Sequence, residues 1–414
     1  MTTRTAIPAT PKLGPDFARL WSASAVTNLC DGITLAAGPL LVASLTDDPA
    51  AIGGAAFVQQ LPWLLFAILS GVLVDRVDRR RLIITADLLR AVVIGGPAVA
   101  VATGNVTIPL VYTAFFLIGT AETVADSASS ALVPAIVAPD ALPKANGRLT
   151  AVVVVGNMFV APPVGAALFV LAAAVPFGVN AGLFVIGALL MATVRYRPRP
   201  RTEHARVAIR TEIVEGLRWA WSHRLLRAMA VSLCLMNIAL MGALAVLVLY
   251  AREQLGLPDA AFGLLIASTA VGGLLGSVVA APLQRRFGDS LLVRIGLLIE
   301  TATHFGLALT HSPWVAGTIF AVFGLHGAVF GVVLVSARQR AVPDRLRGRV
   351  GGVYALLISG GAAIGSLVGG FVARGFGVTA PFWAAGVAMV VLTACVWRTF
   401  RPSMFAEPTP AVHD

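Results

Sequence analysis

Long apolar stretches separated by short polar connectors make up almost the whole chain. Each stretch has about the 20 residues that a helix needs to cross a bilayer. Glycine and proline within them are tolerated in membrane helices, and a membrane β-barrel would show short alternating strands instead. We therefore predict an all-α membrane protein with twelve transmembrane segments: 17–45, 52–74, 82–102, 107–130, 148–172, 176–194, 227–251, 261–283, 291–310, 313–336, 350–373 and 379–399.

The second half of the chain repeats the first. Pro139 and Pro343 begin similar segments 204 residues apart, and the segments from Ala161 and Gly365 keep the same displacement. Parallel six-helix repeats around a central cavity are a common plan of secondary transporters. We predict a cytoplasmic N-terminal tail (1–16), a first six-helix bundle (17–194), a cytoplasmic linker (195–226), a second bundle (227–399) and a cytoplasmic C-terminal tail (400–414).

The composition fits a chain that faces lipid, with 57% hydrophobic and 12% charged residues, whereas soluble domains carry about a quarter charged residues. The net charge of +11 could suggest nucleic acid, but the arginines lie in alternate connectors. Nine lie in 195–227 and five in 338–349, while only Arg252 and Arg374 lie on the opposite side. This positive-inside pattern predicts two cytoplasmic termini and lipid as the partner of the basic residues.

The linker contains an amphipathic segment from 211 to 227. Its apolar positions fall on one helical face, and tryptophans accompany them. Such a segment predicts a helix lying on the cytoplasmic membrane surface. The apolar positions are Ile213, Val214, Leu217, Ala220 and Trp221.

The connector between the second and third segments reads GVLVDRVDRRR, residues 71–81. It resembles the signature loop of the major facilitator superfamily, and Asp78 stands where the general pattern has glycine. That departure, together with the segments 132–147 and 215–229, resembles the drug-exporter branch that contains macrolide and siderophore exporters. The resemblance implies the major facilitator fold, two pseudo-symmetric six-helix bundles. The matching positions are Gly71, Asp75, Arg76, Arg79 and Arg80.

The family resemblance also implies that the signature loop is a gate. It implies that Asp75 joins the two halves at the cytoplasmic side in the outward-open state. A carboxylate facing the start of segment 11 would gain about 0.3–1 kcal/mol from the helix dipole. We expect Gly71 to allow close helix approach, and we expect the arginines of the loop to contact lipid headgroups.

A fainter element of drug antiporters lies in segment 5, within 156–166. Pro162 and Gly165 remain there, but two glycines of the family pattern are replaced. With Gly365 and Gly369 in segment 11, these residues predict close helix packing and a proline kink. They favour export over uptake only weakly. The superfamily's arginine in segment 4 is missing, which puts its proton-relay role in doubt here.

Ionisable groups inside the predicted membrane segments are functional candidates, because each costs about 2.5–3.5 kcal/mol at the bilayer centre. Asp31 lies in the middle of segment 1, and Glu122 and Asp126 lie four apart in segment 4. In this fold both segments line the central cavity, so we predict that these three carboxylates couple transport to protons. A polar residue at a helix break is the alternative for Asp31. In the second half Glu300, His304 and His326 are weaker candidates.

These observations predict proton-coupled efflux of amphipathic small molecules from the bacterial inner membrane, by a protein that we expect to be monomeric. We expect no cofactor, no metal and no enzymatic activity. A siderophore or lysophospholipid exporter of the same fold, and a membrane sensor or scaffold that transports nothing, remain alternatives. Polar and aromatic side chains predicted to line the cavity are Asn28, Gln59, Gln60, Trp63, Asn237 and Met241.

Overall fold

The computed structural model describes residues 13–196, 209–343 and 346–406, in which all regular structure is helical. The first half contains α1 (Pro15–Leu45), α2 (Pro49–Arg76), α3 (Arg79–Ala102), α4 (Ile108–Ile136), α5 (Leu142–Val152), α6 (Ala161–Leu171) and α7 (Val175–Ala192). The second contains α8 (Ile209–Ser222), α9 (Arg224–Leu244), α10 (Leu247–Leu249), α11 (Asp259–Leu309), α12 (Pro313–Ala341), α13 (Arg347–Phe376), α14 (Ala380–Val396) and α15 (Pro402–Ala406).

The described residues form ten helices that are long and apolar enough to cross a membrane. One of them, α11, covers both the eighth and the ninth predicted segments. The chain turns inside it at Gly288, whose φ of 73° is a conformation that glycine adopts without strain. The shorter apolar helix α14 corresponds to the twelfth segment. The twelve-segment all-α fold is thus confirmed, while the bounds of the five predicted regions remain predictions.

Segment 5 departs from the single proline kink that we expected. It starts at Leu142 and includes a π-helix, Val153–Val160, between α5 and α6. At its end the Ala161 N–H donates to the Gly156 carbonyl, five residues back instead of four. Pro162 and Pro163 follow directly and lack N–H groups, so the ordinary hydrogen-bond ladder cannot continue across this point.

Small residues allow the same helix contacts in both halves. A Cβ added to Gly165 of α6 would lie 2.9 Å from the Ile33 Cα of α1, and one added to Gly365 of α13 would lie 2.9 Å from the Ile238 Cα of α9. A Cβ at Gly369 would likewise overlap the backbone of α9. Segment 5 therefore packs on segment 1 as segment 11 packs on segment 7, which is the pattern of two related bundles.

The two halves meet along two helix pairs, α2 with α13 and α6 with α11. A Cβ added to Gly53 of α2 would lie 2.7 Å from the Gly370 Cα of α13. A Cβ added to Gly263 of α11 would overlap the backbone at Pro162 of α6. Such close approach of backbones is what small residues permit between membrane helices.

In the described residues the two halves share an apolar core at only one end of the bundle. We call the end where α1 begins and α2 ends the basic end, and the opposite end the far end. Toward the far end one apolar core combines both halves, including Leu40, Leu41, Ile52, Leu247, Val248, Phe262 and Phe382. Toward the basic end each half has a core of its own, the first around Phe17, Leu20 and Leu132, and the second around Leu226, Met229 and Val293. The bundle is therefore sealed at the far end and parted at the basic end.

Polar contacts across the halves also lie at the far end. Arg252 donates to the Ala43 carbonyl of α1 at 2.9 Å, while Asp259 holds the same guanidinium at 2.8 and 3.0 Å. Arg374, in the last turn of α13, lies 3.6 Å from Asp48, which precedes α2. These contacts reinforce the apolar seal.

The linker helix α8 packs against α13 at the basic end. Gly216 sits on the backbone of Arg349, and the Arg349 guanidinium pairs with Glu215. Ala220, which we placed on the lipid face, is instead buried, because it lies one turn beyond Gly216 on the packed side. The apolar residues Val214, Leu217 and Trp221 remain exposed. The side chain of Ile213 and residues 197–208 of the linker lie outside the described part.

Candidate functional site

A cavity of about 720 Å³ lies within the first half, between α1, α2, α4, α5 and the π-helix. Its wall is unusually polar for the interior of an apolar bundle. Three carboxylates face it, from Asp31, Glu122 and Asp126, together with the indole of Trp63. Hydroxyl and amide groups supply the rest of the polar wall: Ser24, Asn28, Ser127, Ser129, Ser130, Asn146, Thr150 and Asn157.

The π-helix brings the backbone of segment 5 onto α1 beside the carboxylates. A Cβ added to Gly32 would overlap the Asn157 carbonyl of the π-helix. Gly32 follows Asp31 directly, and Asn157 itself lines the cavity. Glycine is therefore required next to Asp31, where the π-helix backbone meets α1.

A buried arginine stands at the centre of the carboxylates. Arg90 of α3 is 2% exposed, and its Nη2 donates to the Asp31 carboxylate and lies 3.7 Å from Glu122 Oε2. The guanidinium stacks on the Phe184 ring, with Cζ 4.2 Å from the ring centroid. Stacking and carboxylate pairing both suit the planar guanidinium, so the cation is fixed between α1, α4 and α7.

A fourth carboxylate, Asp87, approaches Arg90 along the same helix. Asp87 Oδ1 lies 3.8 Å from Arg90 Nη1, and the side chain is 2% exposed. The sequence analysis missed both residues. The signal was present, since an ionisable pair three residues apart inside an apolar segment meets the criterion that selected Asp31. Arginines were interpreted as topology signals, and Arg90 was therefore passed over although it lies near the middle of segment 82–102.

The structure places two of the six predicted cavity side chains at the cavity, Asn28 and Trp63. Asn28 donates to the Ser24 carbonyl at 2.8 Å. The other four are not among the residues that line this cavity: Gln59, Gln60, Asn237 and Met241. Asn237 instead donates to the Leu233 carbonyl of its own helix at 2.9 Å. The described cavity lies entirely in the first half, whereas Asn237 and Met241 belong to the second.

The arginines of the signature loop do not all extend toward lipid, which corrects our expectation. Arg79 donates to the Ala131 carbonyl of α4 at 3.0 Å, and Arg80 donates to the last carbonyls of α7, at Met191 and Ala192. Carbonyls at a helix end lack partners within the helix and attract cations. These two arginines thus tie three helices of the first half together.

The other matching residues of the signature loop are Arg76, Gly71 and Asp75. Arg76 is exposed. A Cβ added to Gly71 would meet no atom within 4 Å, so this structure, parted at the basic end, lacks the close helix approach expected there. The side chain of Asp75 lies outside the described part, and its role as a gate stays a prediction.

A second buried cluster lies in the other half. Glu300 Oε2 lies 3.1 Å from His326 Nε2, and Glu300 Oε1 lies 3.7 Å from His304 Nε2, with all three side chains almost fully buried. His304 has no hydrogen-bond partner in the described residues. No group of three or more potential metal ligands was found in the described part of the chain that could hold an ion.

The fold and the polar cavity are those of a membrane transporter of the major facilitator superfamily. The chain belongs to the family described as transmembrane secretion effector, whose model matches residues 8–412. This confirms the resemblance seen in the signature loop. Family and fold are those of multi-pass membrane transporters and not of enzymes.

Relatives and solved structures agree with this assignment. The multidrug efflux pump Tap of Mycolicibacterium fortuitum is 26% identical over 380 residues, covering 87% of this chain and 90% of Tap. A variant of the nucleoside transporter NupG superimposes with a TM-score of 0.80 at 13% identity, covering 93% of this chain and 99% of NupG. An inward-facing bacterial homologue of the iron transporter ferroportin gives 0.75 at 18% identity, covering 93% and 98%. At such identities the structures show the fold alone.

Proposed function

We propose that the protein exports amphipathic small molecules in exchange for protons. The observation that carries this proposal is the convergence of Asp31, Glu122 and Asp126 on one cavity with a single buried cation, Arg90. Carboxylates inside a membrane protein are costly and mark ion or proton pathways. A relative that covers most of the chain is named a multidrug efflux pump, which supports drugs or secondary metabolites as substrates.

The wall suits a substrate with an apolar body and a cationic group. Asp126 is exposed to the cavity and has no ion-pair partner in the described part of the structure. Trp63 offers an aromatic face, which attracts cations as well as apolar groups. A cation and a proton would then compete for the same carboxylates, so the binding of one releases the other. This competition is the simplest basis for antiport.

Alternating access follows from the two unequal ends of the bundle. We place the basic end in the cytoplasm, on the positive-inside rule, so the described state receives substrate from the cytoplasm. Closure of the basic end and opening of the far end would then present the cavity to the outside, where protons displace the substrate. The protein would work in the bacterial cytoplasmic membrane with both termini inside, and it would confer drug resistance on its host.

The test is proton flux in everted membrane vesicles on addition of a panel of drugs, siderophores and lysophospholipids. We expect amphipathic cations to collapse the pH gradient, and we expect Asp31→Asn to abolish this while the protein still inserts. Proton flux only with siderophores, or only with lysophospholipids, would indicate an exporter of that class instead. If no compound moves protons, and the neutral variants of Asp31, Glu122 and Asp126 behave as wild type, antiport is wrong and the sensor or scaffold alternative gains.

A further inference from the structure

Asp87 lies on the side of Arg90 that faces away from the cavity. It is not among the residues that line the cavity, and 2% of its surface is exposed. Its Oδ2 has no hydrogen-bond partner in the described residues. A Cβ added to Gly187 of α7 would lie 3.8 Å from that oxygen. The carboxylate is thus enclosed between α3 and α7, where neither water nor substrate in the cavity reaches it.

Few titratable groups surround Asp87. Two helices, α4 and α7, pack closely on α3, and α1 brings Asp31 onto the same guanidinium. Helix α7 carries no titratable side chain along Val175–Ala192. The groups that face Asp87 are Arg90 on its own helix, Cys30 and Asp31 on α1, and Glu122 and Asp126 on α4.

The charges around Arg90 do not balance unless a proton is present. One guanidinium stands between Asp31 on the cavity side and Asp87 on the enclosed side. With both carboxylates ionised, the buried group carries an excess negative charge, which a low-dielectric interior disfavours. A proton on Asp31 reduces this excess negative charge, while Asp87 remains ionised as a counter-ion of Arg90. Without Asp87, a proton on Asp31 would leave Arg90 facing only Glu122, at 3.7 Å.

We infer that Asp87 is a positioning residue for coupling: it stays paired with Arg90 and thereby lets Asp31 accept and release a proton. This inference rests on the proposed function, because Asp31 is taken there as the proton carrier. Asp87 itself touches neither substrate nor the cavity. Its effect reaches the transport reaction only through the guanidinium that it shares with Asp31.

The experiment follows the protonated carboxyl of Asp31 directly, without a transport assay. Purified protein in lipid nanodiscs is titrated with acid while infrared absorption of protonated carboxyl groups is recorded, and the Asp31 band is identified by its loss in Asp31→Asn. The variants are Asp87→Asn, the second neutral variant Asp87→Ser, and Asp87→Glu, which retains the charge. Asp289→Asn is the matched control, because Asp289 pairs with Arg340 at the basic end, away from the cavity.

We expect Asp87→Asn and Asp87→Ser to move the midpoint of the Asp31 band to lower pH by about one to three units. Without the second aspartate, Arg90 would stabilise the ionised form of Asp31 more strongly. Asp87→Glu and Asp289→Asn should keep the wild-type midpoint. The inference is overturned if the neutral variants titrate Asp31 at the wild-type midpoint, even if they are less stable, since Asp87 is then a structural residue only. Failure of the proposed function is recognised separately, as absence of substrate-driven proton flux in the wild-type protein.

Discussion

Replacement of Arg90 by methionine tests the physical core of the site. Methionine keeps much of the length and apolar stem of arginine but removes the charge. Arg90 is almost fully buried and pairs with Asp31, Glu122 and Asp87, so the substitution leaves carboxylates without a cation. Removal of one partner of a buried ion pair costs about 3–5 kcal/mol, and the lost stacking on Phe184 adds about 0.5–2 kcal/mol.

The expected loss depends on pH in a defined direction. At neutral pH the free energy of unfolding should fall by about 3.5–7 kcal/mol in Arg90→Met, the sum of the lost ion pair and the lost stacking. At acidic pH the carboxylates take up protons and no longer need a cation, so the loss should shrink. Adding Asp31→Asn to Arg90→Met should recover part of the loss at neutral pH, with a coupling energy of about 0.5–3 kcal/mol.

The assay is reversible unfolding in mixed detergent micelles, followed by circular dichroism at neutral and at acidic pH. Arg90→Lys is the matched control, because it keeps the charge but loses the planar fork and the stacking, and its loss should be smaller. The reasoning is refuted if Arg90→Met unfolds within about 0.5 kcal/mol of wild type at neutral pH, a difference typical of surface substitutions.

Three further predictions concern the contacts that join the halves. In Gly263→Leu the new side chain should overlap the Pro162 backbone and destabilise the protein by about 1–3 kcal/mol. Both thermal stability and transport should therefore fall. Gly317→Leu is the control, because its Cβ has open space, and it should change neither stability nor transport. Arg252→Gln removes the far-end contacts of that guanidinium. If this shifts the free energy between the two states by about 1–2 kcal/mol, the outward-facing fraction should rise about 5- to 30-fold. Unchanged labelling of a cysteine placed at the far end would contradict this. Asp75→Asn should cut transport but spare substrate binding, and full transport would exclude a gate.

Much of the fold could be predicted because the bilayer sets a length that apolar segments must meet. The division of α11 at Gly288 could be predicted from the polar connector between segments 8 and 9. The π-helix could not be predicted, because its valines and small residues read as an ordinary apolar helix. Its hydrogen-bond register depends on the prolines that follow and on the backbone of α1 at Gly32.

The site was predictable only in part. Asp31, Glu122 and Asp126 stood out as isolated charges within apolar segments, and the structure places all three on one cavity. Arg90 was passed over, although it lies near the middle of segment 3, because most other arginines of the chain lie in connectors and serve topology. The burial of Arg90 depends on how α3 is rotated between α1, α4 and α7. Helix packing sets that rotation, and the hydrophobic periodicity of the sequence does not predict it.

The seal at the far end has a consequence for how the transporter responds to temperature and salt. Its apolar core closes by the hydrophobic effect, which weakens on cooling, and each 100 Å² of apolar surface exposed on opening costs about 2.5 kcal/mol. The basic end instead carries exposed charged side chains, such as Arg76 and Arg286, so the free energy of closing that end includes charge interactions that salt screens. Cooling should therefore loosen the far-end seal, and added salt should act at the basic end. The balance between the two states then has two independent physical controls.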